Sequence, residues 1–483
     1  MREGFQHQIR LGCTPISEVE IPVKMRGHLP ALLAAMQYIY VHPAWSSQIE
    51  ELLYTALQKG KKDTGRKGMN LWSIFVLAQV RLGLNITYDE LHYKANYDQL
   101  LRGILGVDPT DYSRGYEYTY QQIYDNVSLL DDELLVKLNE VIVSLGHKVF
   151  KKKEDTALRC KSDSFVVETD THFPTDYTLL FDSGRKCIDL CVQAAFPHWR
   201  KHNYWTRKLK SLVRQLGRIS SRGGKNKQER LLEVVLDYLN HARELSQKVS
   251  LSLDQANHTD SIQLIRICLE LMYYQQMLDK HIDLVERRLV KGEVIAHNEK
   301  VFSIFQPYTE WINKGKSRPK VEIGKKLFVT TDQFGLIVDY QIGQKQADNH
   351  LTIPIADRLL NKYKLDSISF DRGFFDKQDK ELLQLYIPKV IMPKKGKKNQ
   401  QEKELESSKE FIKLRNKHAA IESNINELEH RGLDRCPDRN ERNFKRYVGI
   451  GVVAYNLHKI GRKLLKEQLA ALQKEQKRLK IAA

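Results

Sequence analysis

The feature that most constrains this chain is a short run of strand-forming residues set between two long helical stretches. Leu158 to Val167 (LRCKSDSFVV) is β-compatible and carries Asp163 in its middle. Before it, apolar residues recur with a period near 3.6 through His28–Val41, Ser47–Leu57, Leu71–Leu82 and Leu129–Leu145, the spacing of helices that bury one face. After it, the chain turns helical again from about Thr178 to Val290, where Leu264, Cys268, Leu271, Leu278, Ile282, Val285 and Leu289 form one apolar stripe. Strands return at Leu327–Thr331 and Leu336–Gln341, which flank the turn Asp332–Gly335.

The remaining elements follow in a definite order. Asp348 to Tyr363 suits a helix, Ser367–Phe370 a buried strand ending at Asp371, Lys377–Leu385 a helix and Ile387–Met392 a strand, before a long helix from about Leu405 through Glu429. The sequence β, helical insertion, β-hairpin, α, β, α, β, α is the order of an RNase H-like domain interrupted after its first strand. The expected fold class is therefore mixed α+β and α/β, with an RNase H-like catalytic domain preceded by an α-helical region. The expected division is 1–150 for that N-terminal region, 151–195 with 320–460 for the catalytic domain, 196–319 for a basic helical insertion, and 461–483 for a basic amphipathic helix. Two helix starts are written chemically, since Ser47-x-x-Glu50 and Thr87-x-x-Glu90 both have the form of a capping box.

Composition removes several classes. With 41% hydrophobic residues the chain can build cores, so wholesale disorder is not expected. The longest apolar run, Ile74 to Val80, is broken by Gln79 and falls short of the roughly 20 residues of a membrane helix, which leaves a soluble, cytoplasmic protein as the expectation. Arg2 and Arg10 are followed by no apolar run, so no secretory signal is expected. Six cysteines without C-x-x-C spacing exclude a disulfide scaffold or zinc finger, and Cys187 and Cys191 read as core residues. A net charge of +18 favours a polyanionic partner, and nucleic acid is the first such partner to test.

RNase H-like nucleases place acids in the first strand, at the end of the fourth and on the last helix. Asp163, Asp371 and Glu422 occupy those places. Hard carboxylate oxygens suit two Mg²⁺ ions, with Mn²⁺ as a substitute, each able to lower the pKa of a bound water and offset phosphoryl charge. Asp170 is the fallback for the first acid, whereas Asp176 follows Pro174 and is better placed to cap the next helix, as is Asp348 at a hairpin-to-helix junction.

Several segments also resemble a known family. Asp163–Asp176 (DSFVVETDTHFPTD), Val301–Phe305 (VFSIF), 310–316 (EWINKGK), Phe370–Phe374 (FDRGF) and Ile421–Glu429 (IESNINELE) resemble the DDE transposases of bacterial insertion sequences, specifically the ISNCY-type group. Gly432–Asp438 (GLDRCPD), Phe444–Val448 (FKRYV) and Asn456-Leu457 extend the likeness, which covers about Gly60 to Gly461. The resemblance implies a metal-dependent transposase with Asp163, Asp371 and Glu422 at its acidic positions, cutting transposon ends and joining the 3′-hydroxyl to target DNA. Many relatives carry Arg four residues before the Glu and Lys seven after it; here those places hold His418 and Glu429. Phosphate contacts made elsewhere by that Lys must then come from groups such as Lys417, His430 or Arg431. An RNase H-like nuclease without strand transfer and an inactive DNA-binding regulator remain alternatives, though three intact acids oppose the second.

Charge locates the DNA. Arg200 to Arg230 holds eleven Lys and Arg against the single acid Glu229. Within it Arg200, Lys201, Arg207, Lys208, Lys210, Arg214, Arg218 and Arg222 are candidate phosphate contacts, and Trp205 either stacks on an unpaired base or packs in a core. Lys394, Lys395, Lys397 and Lys398 form a second tract before the last catalytic helix, and His418 is a further candidate contact. The loop Gly60–Gly68, with four basic residues and three glycines, is either a solvated linker or a phosphate holder. The helix His458–Lys480 has an apolar face of Leu464, Leu465, Leu469, Leu472 and Leu479 that could meet the body or another protomer. End recognition is assigned to the N-terminal helices, and a homodimer or larger assembly on double-stranded DNA is expected because two terminal inverted repeats are processed together.

Overall fold

The computed structural model describes residues 2–5, 13–60, 67–107, 117–222, 224–256, 261–313 and 321–482. Residues 61–66 of the Gly60–Gly68 loop and 314–316 of the EWINKGK segment lie outside them. The chain forms two compact units, one of Met1–Asp170 with Lys314–Ala483 and the other of Thr171–Asn313.

The first unit opens with helices α1 (His28–Val41), α2 (Pro43–Leu57), α3 (Leu71–Gly83), α4 (Tyr88–Tyr97), α5 (Gln99–Ile104), α6 (Tyr120–Val127) and α7 (Asp132–Val149). The Thr87/Glu90 capping box forms at the start of α4. That of Ser47 does not, because Pro43, with its φ preset for a first turn, starts α2 four residues earlier. Glu50 instead accepts from the Phe5 amide at 3.0 Å. Strand β1 (Leu158–Thr169) ends this stretch.

In the second unit, α8 (Asp176–Gln193), α9 (His202–Ser221), α10 (Lys227–Ala256) and α11 (Ile262–Val285) are followed by a short strand β2 (Glu310–Asn313). Leu180, Cys187, Cys191, Leu216, Leu239, Leu271 and Leu278 share one core, so both cysteines are packing residues. Because α8 buries its face in that core, the compact unit starts at Thr171, whereas the sequence reading began the insertion at 196. Thr175, not Asp176, caps α8; Asp176 is buried and held by Arg288 at 2.8 Å.

The first unit resumes with β3 (Val321–Thr331), β4 (Ile337–Ile342), α12 (Thr352–Leu360), β5 (Leu365–Phe370), α13 (Lys377–Tyr386), β6 (Lys389–Ile391), α14 (Gln400–Ser407), α15 (Lys409–His418), α16 (Ala420–Leu428), β7 (Arg435–Cys436) and α17 (Glu441–Ala482). Its sheet runs β4-β3-β1-β5-β6, with β7 beside the end of β1. β3 is antiparallel to both β1 and β4, while β5 and β6 run parallel to β1. Gly335 closes the β3–β4 turn at φ +76°, a region open to glycine at little cost.

Two differences from the sequence reading bear on the site. The helix expected over Leu405–Glu429 is three helices, since Ser408 caps α15 and the chain bends again at Ala419. The terminal helix is not a separate element, because α17 runs unbroken from Glu441 to Ala482. Its buried half, including Val448, Val452, Tyr455 and Leu457, packs with α1, α3 and α7. At Gly461 an added Cβ would collide with the carbonyl oxygen of Ala31, so α1 and α17 meet backbone to backbone.

Candidate active site

Alternation along β1 sets the site. Side chains two residues apart share a face, so Arg159, Lys161 and Asp163 project together. The parallel register places Arg159 against Ser367 and Lys161 against Ser369. One step further, where β5 has ended at Phe370, Asp371 leaves the sheet in extended conformation (φ −72°, ψ 167°) and starts the short turn Arg372–Phe374. α15 packs on β5 and α16 on β1, which brings Glu422, in the first turn of α16, over the same region.

The charges of the other acids act on Asp163. Burial pushes the Asp163 carboxyl up to about 6, and the negative charges of Asp371, Glu422 and Asp348 push in the same direction, against a hydrogen bond from the Ser164 amide at 2.7 Å. Asp163 is half-buried, whereas Asp371 and Glu422 are exposed. Asp163 is thus within electrostatic reach of both other sequence-predicted acids. Among the described residues, no group of three or more His, Cys, Asp or Glu side chains is arranged so that it could hold a metal ion.

The other acids sort by what they touch. Asp170 is paired with Arg435 at 2.8 Å. Asp348, expected to cap a helix, makes no capping bond; its carboxylate takes an ion pair from Lys326 at 2.6 Å and adds to the negative field at Asp163. Sequence reasoning missed this because an acid before a helix has capping as its ordinary role.

His418 lies beside Asp371. Its Nδ1 is 2.9 Å from the Ser369 hydroxyl, and its buried Nε2 has no hydrogen-bond partner. Burial lowers its pKa, aided by Lys161 and opposed by Asp371, so the ring is neutral at physiological pH and offers hydrogen bonding rather than charge. Of the groups expected to replace the missing Lys, Lys417 and His430 are exposed. Arg431 is buried, bonded to Glu427 at 2.8 Å and to the Gly83 carbonyl at 3.2 Å.

The Lys394–Lys398 tract divides. Lys394 pairs with Glu402 at 2.7 Å and Lys398 with Glu406 at 2.5 Å, fastening α14, while Lys395 and Lys397 are exposed. Within the second unit, Arg200, Lys201, Arg207, Lys210, Arg214, Arg218 and Arg222 are exposed along and beside α9. Lys208 pairs with Asp237 at 3.2 Å. Trp205 is half-buried against the core, edge-on to His241, with Lys248 Nζ 5.5 Å from its ring.

Residues 290–457 match the family model described as the transposase DDE domain. No curated protein and no solved structure matches the chain significantly. The matched span contains Asp371 and Glu422, and β1 brings Asp163 to the same sheet from outside it. The chain carries a transposase DDE domain.

Proposed function

We propose that the protein is an insertion-sequence transposase, of the ISNCY-type group, whose DDE domain is RNase H-like. It binds transposon-end DNA, hydrolyses the strand at the end and joins the freed 3′-hydroxyl to target DNA. The observation that supports this reading is the negative field of Asp371 and Glu422 at Asp163, which stands on the third strand of a sheet whose order is β4-β3-β1-β5-β6.

An oxygen-only set of carboxylates whose charges oppose one another fits Mg²⁺ or Mn²⁺, which relieves that repulsion. Bound there, such ions supply an activated water and charge neutralisation on the phosphoryl oxygens. The protein's own part is to hold the acids: Asp163 rigidly within a central strand, Asp371 at a strand end and Glu422 on a helix packed against β1. The unneutralised cations of α9, with Lys395 and Lys397, supply sequence-independent affinity for the duplex. A pair of protomers on two terminal repeats fits the need to process both ends together.

The test is incubation with Mg²⁺ and a labelled duplex carrying the element's terminal repeats. Joined products support transposition, cutting without joining supports a nuclease, and binding without cutting a regulator. Asp371→Ala cleaving at the wild-type rate would overturn the site assignment.

A further inference from the structure

Next to the carboxylates, the same sheet face continues into a cleft of about 280 Å³. Its floor is Arg159 and Lys161 of β1 with Ser367 and Ser369 of β5, and Asn416 and Lys417 at the end of α15 stand at its edge. Three cations line it and no carboxylate does. Lys161 Nζ donates to the main-chain oxygen of Asp332 at 3.3 Å, one bond for a group with three donors. Placing a half-buried ammonium here is costly, and the negative charge of Asp332 offsets only part of that cost.

We propose that this cleft binds the DNA phosphodiester adjacent to the one cut at the carboxylates, with Lys161 and Arg159 as its cationic contacts, Lys417 closing over it and Ser367 and Asn416 as uncharged donors. The inference rests on the transposase reading of Asp163, Asp371 and Glu422. Its geometric basis is the strand repeat: Lys161 lies two residues, about 6.6 Å, before Asp163 and Arg159 the same distance further on. This step is comparable to the spacing of successive phosphates along one strand, so a strand lying along β1 would set one phosphate at the acids and the next at Lys161. The contact supplies register, since it fixes which phosphodiester lies over Asp163, and it stands in for the cation missing at Glu429.

The experiment measures the salt dependence of binding of the full-length protein to a labelled duplex of arbitrary sequence, in Ca²⁺ to suppress cutting. Lys161→Met, Arg159→Ala and Lys417→Ala should each lower the slope of log affinity against log salt by about 1. On a terminal-repeat duplex in Mg²⁺, K161M should cut at scattered positions or at least ten-fold more slowly, and Lys161→Arg should restore both rate and position. Lys417→Ala changes an exposed residue and scores the cleft even if K161M folds poorly. Unchanged slopes in all the variants overturn the cleft and leave the carboxylate site standing. Lowered slopes together with undiminished cutting by Asp371→Ala keep the phosphate contacts and overturn the carboxylate reading instead.

Discussion

Glu427 of α16 takes an ion pair from Lys459 of α17 at 2.9 Å, five residues after Glu422 on the same helix. Arg431 at 2.8 Å and Arg462 at 3.0 Å close on the same carboxylate. The helix that presents Glu422 is thus fastened to the longest helix of the first unit through one side chain. Burial raises the Glu427 pKa, but its bonds to Lys459 and Arg431 outweigh this and hold it below the usual carboxylate range. A depressed pKa contributes stability above the unfolded value, lost as pH falls through the folded one. Glu427→Gln should therefore cost about 2–4 kcal/mol at neutral pH, because Arg431 stays buried without its partner. Urea unfolding of both proteins should show the difference shrinking below about pH 4; a gap that persists unchanged in acid would remove the ionic explanation.

The elements that carry the acids were legible for a simple reason. Asp163 sits in a run of alternating and β-branched residues, and Asp371 follows a buried apolar strand, so local pattern and global fold agree there. The closing helix was less legible, since the breaks at Ser408 and Ala419 occur in a run of good helix formers, and a bond such as His418 to Ser369 is invisible to periodicity. β7 has two residues and β2 four, too few to show alternation. Asp348 reaches the field of Asp163, and Lys161 stands opposite Ser369, through tertiary placement and register, which no spacing in sequence encodes.

The GLDRCPD segment turns out to be a fastening as well as a motif. Asp438 accepts from Arg81 of α3 at 2.7 Å and lies 3.5 Å from Arg446 of α17. Both guanidinium groups are buried, and that of Arg81 also stacks 4.0 Å above the Tyr88 ring. Asp438→Ala would leave two buried cations without their carboxylate. The expected loss is about 3–5 kcal/mol, seen as a lower urea midpoint. Asp438→Asn should recover part of it through hydrogen bonding alone. If D438A unfolds at the wild-type midpoint, the pair contributes nothing to the fold.

Gly461 lets α17 touch the backbone of α1. Ordinarily Gly→Ala within a helix stabilises by about 1 kcal/mol through propensity. Here the methyl would strike the Ala31 carbonyl oxygen, and the neighbour is backbone, which cannot rotate away. Gly461→Ala should thus be destabilising by at least about 1–3 kcal/mol, the sign reversed by overpacking. Thermal unfolding decides it, and a raised melting temperature would show that the two helices separate without cost.

The raised pKa of Asp163 makes a prediction that needs no DNA. Its carboxyl, half-buried and within the field of Asp371, Glu422 and Asp348, is pushed up to about 6, above the ordinary value. A raised carboxyl pKa means that the folded protein binds a proton more tightly than the unfolded chain, so this contribution is fully present below about pH 4 and is lost as pH rises through 6. In metal-free protein, Asp163→Asn should therefore stabilise the fold at pH 8 and lose that advantage between pH 6 and 4, where wild type becomes neutral at the same position. Divalent cation should do for wild type at pH 8 what the substitution does, stabilising the fold by about 2.7 kcal/mol at a hundred-fold excess over the dissociation constant, seen as a melting temperature that rises with concentration. D163N and Asp371→Ala should show little of that metal-dependent rise. A Mg²⁺ or Mn²⁺ response equal in all three proteins would place the cation elsewhere, and a D163N stability difference independent of pH would mean that the Asp163 charge is not what opposes folding.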